Sequence, residues 1–138
     1  MAAFLLDTDT ASRLLRADRT TVAAMRKSGA SDLAVSTVTQ SELLFGARLR
    51  AQSPALMAAV RAFLARVSVH AFDDAAAEHH AEIRAAVRSK GRAAGVFDLM
   101  IAAHARALDA TLATSDKAIG NLGIDGLRVV DWSARSVR

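Results

Sequence analysis

The sequence predicts an α/β protein: a single domain over residues 1–138, with a central parallel sheet of about five strands covered by helices on both faces. Two observations carry this expectation. Short apolar runs alternate along the chain with longer segments of helical periodicity, the order of βαβ units. The composition is 52% apolar but only 4% aromatic, so Ala, Leu and Val must fill most core positions, which suits close-packed helices against a sheet.

Each element has its own local reason. Ala3–Leu6 is a short apolar run and reads as a buried strand. Asp7–Arg16 and Arg19–Ser28 read as helices, with a turn near Ala17 and Asp18. Leu33–Ser36 is a second strand, followed by a helix from about Val38 to Arg50. Pro54, the only proline, stands where a helix can start, and Pro54–Arg66 places Leu56, Val60, Phe63 and Leu64 on one face. Val67–Phe72 reads as a strand. Asp73–Lys90 is a long helix that Gly91 stops. Asp98–Leu108 is apolar nearly all round, which predicts a buried helix. Thr111–Thr114 and Leu127–Val130 complete the strands. No repeat, low-complexity tract or linker interrupts the chain.

The gross chemistry narrows the function classes. There is no cysteine, so disulfides, thiolate metal sites and cysteine nucleophiles are excluded, and a reducing, cytoplasmic location is expected. The opening Met1-Ala2-Ala3-Phe4-Leu5-Leu6 has no basic lead and meets Asp7 at once, too short for a signal peptide or a membrane span. The formal charge is +4, and most of the 18 basic residues are arginine, the better bidentate phosphate ligand. An Ala- and Arg-rich composition is also what a GC-rich genome produces. The charge therefore permits a nucleic-acid partner without demanding one.

Ligands of parallel α/β sheets bind beyond the carboxyl ends of the strands. Three acidic residues closely follow strands there: Asp7 after Phe4-Leu5-Leu6, Glu42 one helical turn after Val35-Ser36, and Asp116 after Leu112-Ala113-Thr114. Asp98 opens the buried helix after the Gly91–Gly95 stretch. Helix N-termini share that edge, so all four carboxylates can converge. Each also has a plainer explanation as a helix cap: Asp7 or Asp9, Asp98 and Asp116 as N-caps, and Thr39-Gln40-Ser41-Glu42 as a capping box. Four caps do not explain why every one is acidic, since Ser, Thr and Asn cap as well. Clustered carboxylates repel and raise one another's pKa, and a hard divalent cation such as Mg²⁺ relieves this through oxygen ligands. Such a centre can hydrolyse a phosphodiester with an activated water.

At these residues the chain resembles the PIN-domain family, and within it the VapC-type toxin ribonucleases of bacterial toxin–antitoxin pairs. Phe4-Leu5-Leu6-Asp7-Thr8-Asp9 is similar to the family's opening motif, and Val38-Thr39-Gln40-Ser41-Glu42-Leu43-Leu44-Phe45-Gly46-Ala47 to its second. Gly95-Val96-Phe97-Asp98-Leu99-Met100-Ile101-Ala102-Ala103-His104-Ala105 is the strongest match. Leu112-Ala113-Thr114-Ser115-Asp116 and Leu127-Arg128-Val129-Val130-Asp131-Trp132 follow in the right order. The resemblance implies a three-layer α/β/α fold, an RNA substrate, a homodimer, Mg²⁺ or Mn²⁺ dependence and a cognate antitoxin that blocks the site. It further implies an acidic quartet of Asp7, Glu42, Asp98 and Asp116, with Asp7, Asp98 and Asp116 as metal ligands and Glu42 acting through water. Two departures stand out: Asp9 occupies a position where Asn is common, and Val96-Phe97 replaces a polar or Pro-containing lead.

Other residues invite competing readings. Glu78-His79-His80-Ala81-Glu82 suggests zinc, but adjacent histidines diverge on a helix. His104, on the buried helix, reads as a satisfied core or rim histidine rather than a general base. Arg84, Arg88, Lys90 and Arg92 form a basic stripe before the third motif, either ordinary helix-surface charge with dipole compensation or an RNA or antitoxin contact. The alternative enzyme class is a haloacid-dehalogenase-like phosphatase using Asp7 as nucleophile, which leaves Glu42 and Asp98 idle. A receiver-like phosphotransfer module would use Asp73 or Asp74, but lacks the Lys expected after its last strand. A nuclease fold kept only for binding is the remaining reading.

Overall fold

The computed structural model describes residues 4–50 and 52–133, so Ala3, the expected first strand residue, lies outside them. The described elements run β1 (Phe4–Leu6), α1 (Thr8–Leu15), α2 (Arg19–Lys27), β2 (Leu33–Ser36), α3 (Thr37–Leu49), α4 (Pro54–Arg66), β3 (Ser68–His70), α5 (Asp74–Ser89), α6 (Val96–Ala107), β4 (Thr111–Ala113), α7 (Lys117–Asn121) and β5 (Val129–Val130). The five strands form one sheet in the order β3-β2-β1-β4-β5, every pair parallel. The α/β expectation with a parallel sheet therefore holds.

The three layers follow from the two-residue period of a strand. Leu5, Ala34 and Leu112 point to one face, where they pack with Ile83 and Val87 of α5 and Leu99, Ile101 and Ala102 of α6. Leu6, Val35 and Ala113 point to the other face, against Ala11 of α1, Leu43 and Ala47 of α3 and Val60 of α4. Leu5, Leu6, Ala34, Val35 and Ala113 are fully buried, so neither face could tolerate a polar side chain at these positions.

The topology fixes where a ligand can sit. The chain moves outward from β1 through β2 to β3, then crosses back to place β4 on the other side of β1. The crevice beyond the carboxyl ends of β1 and β4 is thus the switch point of the sheet. Register aligns it: Leu6 pairs with both Val35 and Ala113, so Asp7, Ser36 and Thr114 emerge side by side.

Most boundaries fall within two residues of the sequence expectation, but three elements differ instructively. β3 stops at His70 rather than Phe72, because the Phe72 amide donates to the Thr37 hydroxyl at 3.1 Å instead of continuing the ladder. β5 is shortened to two residues because the Leu127 amide turns back to the Ile124 carbonyl. The helix expected to open at Asp98 begins at Val96 with Gly95 as its N-cap, so Asp98 lies in the first turn and does not cap it. Asp116, read from the sequence as an N-cap, does cap a helix, the five-residue α7.

Candidate active site

The four carboxylates arrive at the switch-point edge by different local routes. Asp7 leaves β1 in extended conformation and caps α1, its Oδ1 accepting the Thr10 amide at 2.8 Å. Its Oδ2 accepts the hydroxyl of Thr114, the residue after β4. Asp116 caps α7 through Oδ1, which accepts the Ala118 amide at 2.9 Å. Both are therefore caps, and both lie at the carboxyl end of a central strand. A cap uses one carboxylate oxygen and leaves further lone pairs for other work.

Glu42 is not part of a capping box. Thr39 is buried inside α3, whose N-cap is Ser36 with its hydroxyl accepting the Val38 amide at 3.1 Å. Glu42 Oε1 instead accepts a short hydrogen bond from Thr8, across 34 positions of sequence. Asp98 folds back over its own N-cap: a Cβ placed on Gly95 would stand 2.6 Å from Asp98 Oδ2. The glycine backbone has an ordinary negative φ, so what it provides is room for the Asp98 carboxylate to stand where it does.

Electrostatics tie the four together. Burial raises the Asp98 pKa, and the charges of Asp116, Asp7 and Glu42 raise it further, as does a hydrogen bond with Asp116. Burial also raises Asp7, although the Thr114 and Thr10 donors pull it back and Asp9 adds repulsion. Among the described residues, no Lys, Arg or His forms an ion pair with Asp7, Glu42, Asp98 or Asp116. The edge thus carries concentrated, uncompensated negative charge. Its donor set is entirely oxygen, which fits a hard divalent cation. Among the described residues no three acidic or histidine side chains already stand close enough to cage an ion. Asp7 and Glu42 instead rest against hydroxyl donors, and Mg²⁺ in particular keeps several waters and needs few direct ligands.

The match of this chain to known proteins agrees with the geometry. Residues 4–124 match the PIN-domain family model. The chain belongs to the PIN-domain family. It is 33% identical over 134 residues to the tRNA(fMet)-specific endonuclease VapC of Shigella flexneri, covering 96% of this chain and 100% of that protein. It is 30% identical to the enzyme of the same name from Salmonella typhimurium, over 96% of this chain and 99% of that one. Among solved structures, the DNA-bound VapBC of Salmonella typhimurium superposes with a TM-score of 0.85 at 30% identity, covering 96% and 99% of the two chains. The PIN domain described here is thus a VapC-type toxin ribonuclease.

Sequence reasoning named the carboxylates but not the hydroxyls that orient them. Thr8 stands directly after Asp7 and Thr114 two positions before Asp116, and that closeness was the available signal. Asp9 is held by Arg13 Nε and Ser115 Oγ, both at 2.9 Å. His104 is buried against the edge of Phe72, its ring centroid 5.5 Å away, and burial lowers its pKa. Its Nδ1 lacks a partner among the described residues, so it is a core histidine but not a satisfied one. The zinc reading of His79 fails for a local reason: its Nδ1 accepts Arg106 Nε at 2.8 Å.

Proposed function

We propose that this PIN domain hydrolyses RNA through a Mg²⁺-dependent acidic quartet, with Asp7, Asp98 and Asp116 as metal ligands, Glu42 as the fourth catalytic carboxylate and Mn²⁺ able to substitute. The observation that carries this reading is the Asp98 carboxyl, which lies in the field of all three other carboxylates, none of the four ion-paired among the described residues. Mg²⁺ would offset that charge, allow a water to attack phosphorus and steady the leaving 3′ oxygen. The chain's own residues prepare the site. Thr114 and the Thr10 amide fix both oxygens of Asp7, and Thr8 fixes Glu42. Asp116 is held by its cap and by its own amide, which donates to Thr114 Oγ1 at 3.0 Å. The new bond joins the water oxygen to phosphorus and the P–O3′ bond breaks, leaving a 5′-phosphate and a 3′-hydroxyl. The phosphatase alternative leaves Glu42 and Asp98 without a task at this edge, and the receiver-like one lacks its Lys.

The names of the relatives make initiator tRNA the first substrate to test. The solved VapBC complexes support a cognate antitoxin as partner. An apolar groove of about 610 Å³ lined by Val38, Phe45 and Phe97 reaches Glu42, and it suits an antitoxin segment carrying an Arg toward the carboxylates. A homodimer and a cytoplasmic location are further expectations. No described helix is long and apolar enough to cross a membrane.

The test is cleavage of initiator tRNA with Mg²⁺ by wild type and Asp98→Asn. Cleavage to 5′-phosphate ends, lost with chelator and reduced by at least about a hundredfold in the variant, is expected. A 2′,3′-cyclic phosphate product, or full activity in excess chelator, overturns the reading.

A further inference from the structure

The basic stripe before the third motif separates into two parts. α5 ends in a Schellman motif: the Gly91 amide donates to Arg88 O at 2.9 Å and the Arg92 amide to Val87 O at 3.1 Å, with Gly91 at φ +67°. That left-handed turn brings Arg92 back beside Arg84 and Arg88, and its Nη1 is anchored on Asn121 O at 2.8 Å. Arg84, Arg88 and Arg92 line one groove of about 320 Å³ with His80, over a floor that includes Val87 and Leu99. Lys90 faces a different cavity, shared with Glu82, Arg106 and Asp125.

We propose that Arg84, Arg88 and Arg92 form a phosphate track that leads an RNA strand to the carboxylate edge. The groove reaches Val96 and Leu99 on the first turn of α6, the turn that carries Asp98. None of the ion pairs among the described residues includes the three arginines. Like charges at (i, i+4) on a helix destabilise it, and the helix dipole compensates only Arg88, in the last turn. Neither the dipole nor an ion pair among the described residues offsets the repulsion at Arg84. His80 feels it too: burial and the Arg84 charge lower its pKa.

A polyanion is the occupant this groove favours. A cluster of carboxylates repels RNA, so approach needs cationic walls nearby, and guanidinium forks match phosphate oxygens. The apolar groove suited to a protein segment is a separate one: Phe97 lines that groove, whereas Val96 and Leu99 line the basic one.

This inference rests on the nuclease reading, and a two-arm experiment separates them. The Arg84→Gln/Arg88→Gln double variant keeps helix propensity and leaves the carboxylates untouched. Binding of initiator tRNA is measured in Ca²⁺ at several salt concentrations, alongside Mn²⁺-dependent hydrolysis of bis(p-nitrophenyl) phosphate and tRNA cleavage. For two lost contacts at about 0.7 each, the log–log salt slope should be shallower by about 1.4, with KM for tRNA raised about tenfold and hydrolysis of the small diester unchanged. An unchanged tRNA affinity and salt slope in a folded variant overturns the track, as does selective loss of antitoxin binding. Wild type that binds tRNA with the steeper slope but hydrolyses neither substrate keeps the track and overturns the nuclease reading.

Discussion

The Thr114 hydroxyl donates to the buried Asp7 carboxylate at 2.5 Å, although the two residues stand 107 positions apart. The same hydroxyl accepts the Asp116 amide at 3.0 Å, so one side chain spaces two of the four carboxylates. Register makes this possible, because Leu6 pairs with Ala113 and delivers Asp7 and Thr114 to the same level of the edge.

Thr114→Val should therefore impair the site more than the fold. Loss of a donor to a buried carboxylate raises the Asp7 pKa further and weakens metal binding about 10–100-fold, the usual cost of losing a ligand's outer partner. The rate–pH profile should shift toward higher pH, because Asp7 must lose its proton to bind the cation. Thr114→Ser should restore both. Metal titration of tRNA cleavage across pH checks this, and an unshifted profile in Thr114→Val counts against the relay.

Gly95→Ala isolates the placement of Asp98. The added methyl group would stand 2.6 Å from Asp98 Oδ2, which can swing away at little cost because it is the end of a side chain. The melting temperature should change little, while metal affinity and cleavage fall together. Equal loss of stability and activity in this variant would point to backbone damage instead.

The metal-free protein should be strained by its own charges, and the sign can be worked out. Asp98 and Asp7 have folded pKa values raised above the ordinary carboxylate value, so the folded state binds more protons than the unfolded state in the window just above it. Stability of the apo protein therefore falls as pH rises through that window. Asp98→Asn should raise the apo melting temperature at neutral pH and flatten this dependence. Mg²⁺ at a hundred times its Kd should stabilise the wild type by about 2.7 kcal/mol, and the variant less. Thermal melts with chelator and with Mg²⁺ decide it: destabilised Asp98→Asn with an equal metal response would assign Asp98 a purely structural role.

The sheet was legible because its strands bury both faces, leaving uniform apolar runs such as Phe4–Leu6 and Leu33–Ser36 between helical patterns. The carboxylates were legible from their position after those runs. What the local sequence hid were contacts made across long separations. Thr39-Gln40-Ser41-Glu42 satisfies the spacing of a capping box, but the helix starts earlier at Thr37 and Glu42 turns to Thr8. Asp98 looked like a cap because nothing in Gly95-Val96-Phe97 announces that Gly95 takes that role. The four-residue basic stripe could not be divided without knowing that Gly91 reverses the chain.

Asp9, placed where the family resemblance leads one to expect Asn, supplies the last prediction. Burial pushes its pKa up, but hydrogen bonds from Arg13 and Ser115 and the charges of Arg13 and Arg16 outweigh this and hold it below the ordinary value. Asp9 is thus ionised, and it pairs with Arg13 one turn along α1. Arg13 offsets part of that charge, and what remains still raises the Asp7 pKa. Through Ser115 it also steadies the segment that carries Asp116. Asp9→Asn keeps an acceptor for Ser115, so cleavage should stay within about threefold of wild type, as expected for loss of a largely exposed ion pair. Asp9→Ala removes that acceptor and should lower metal affinity more. Arg13→Gln should be the most damaging of the three, because it leaves Asp9 charged and unbalanced beside Asp7, whose pKa its charge already raises. The double variant Asp9→Asn/Arg13→Gln should recover most of that loss. Metal affinities of Asp9→Asn, Arg13→Gln and the double variant form a thermodynamic cycle with wild type. Additive losses, with no recovery in the double variant, would show that Arg13 serves the site by some route other than balancing Asp9.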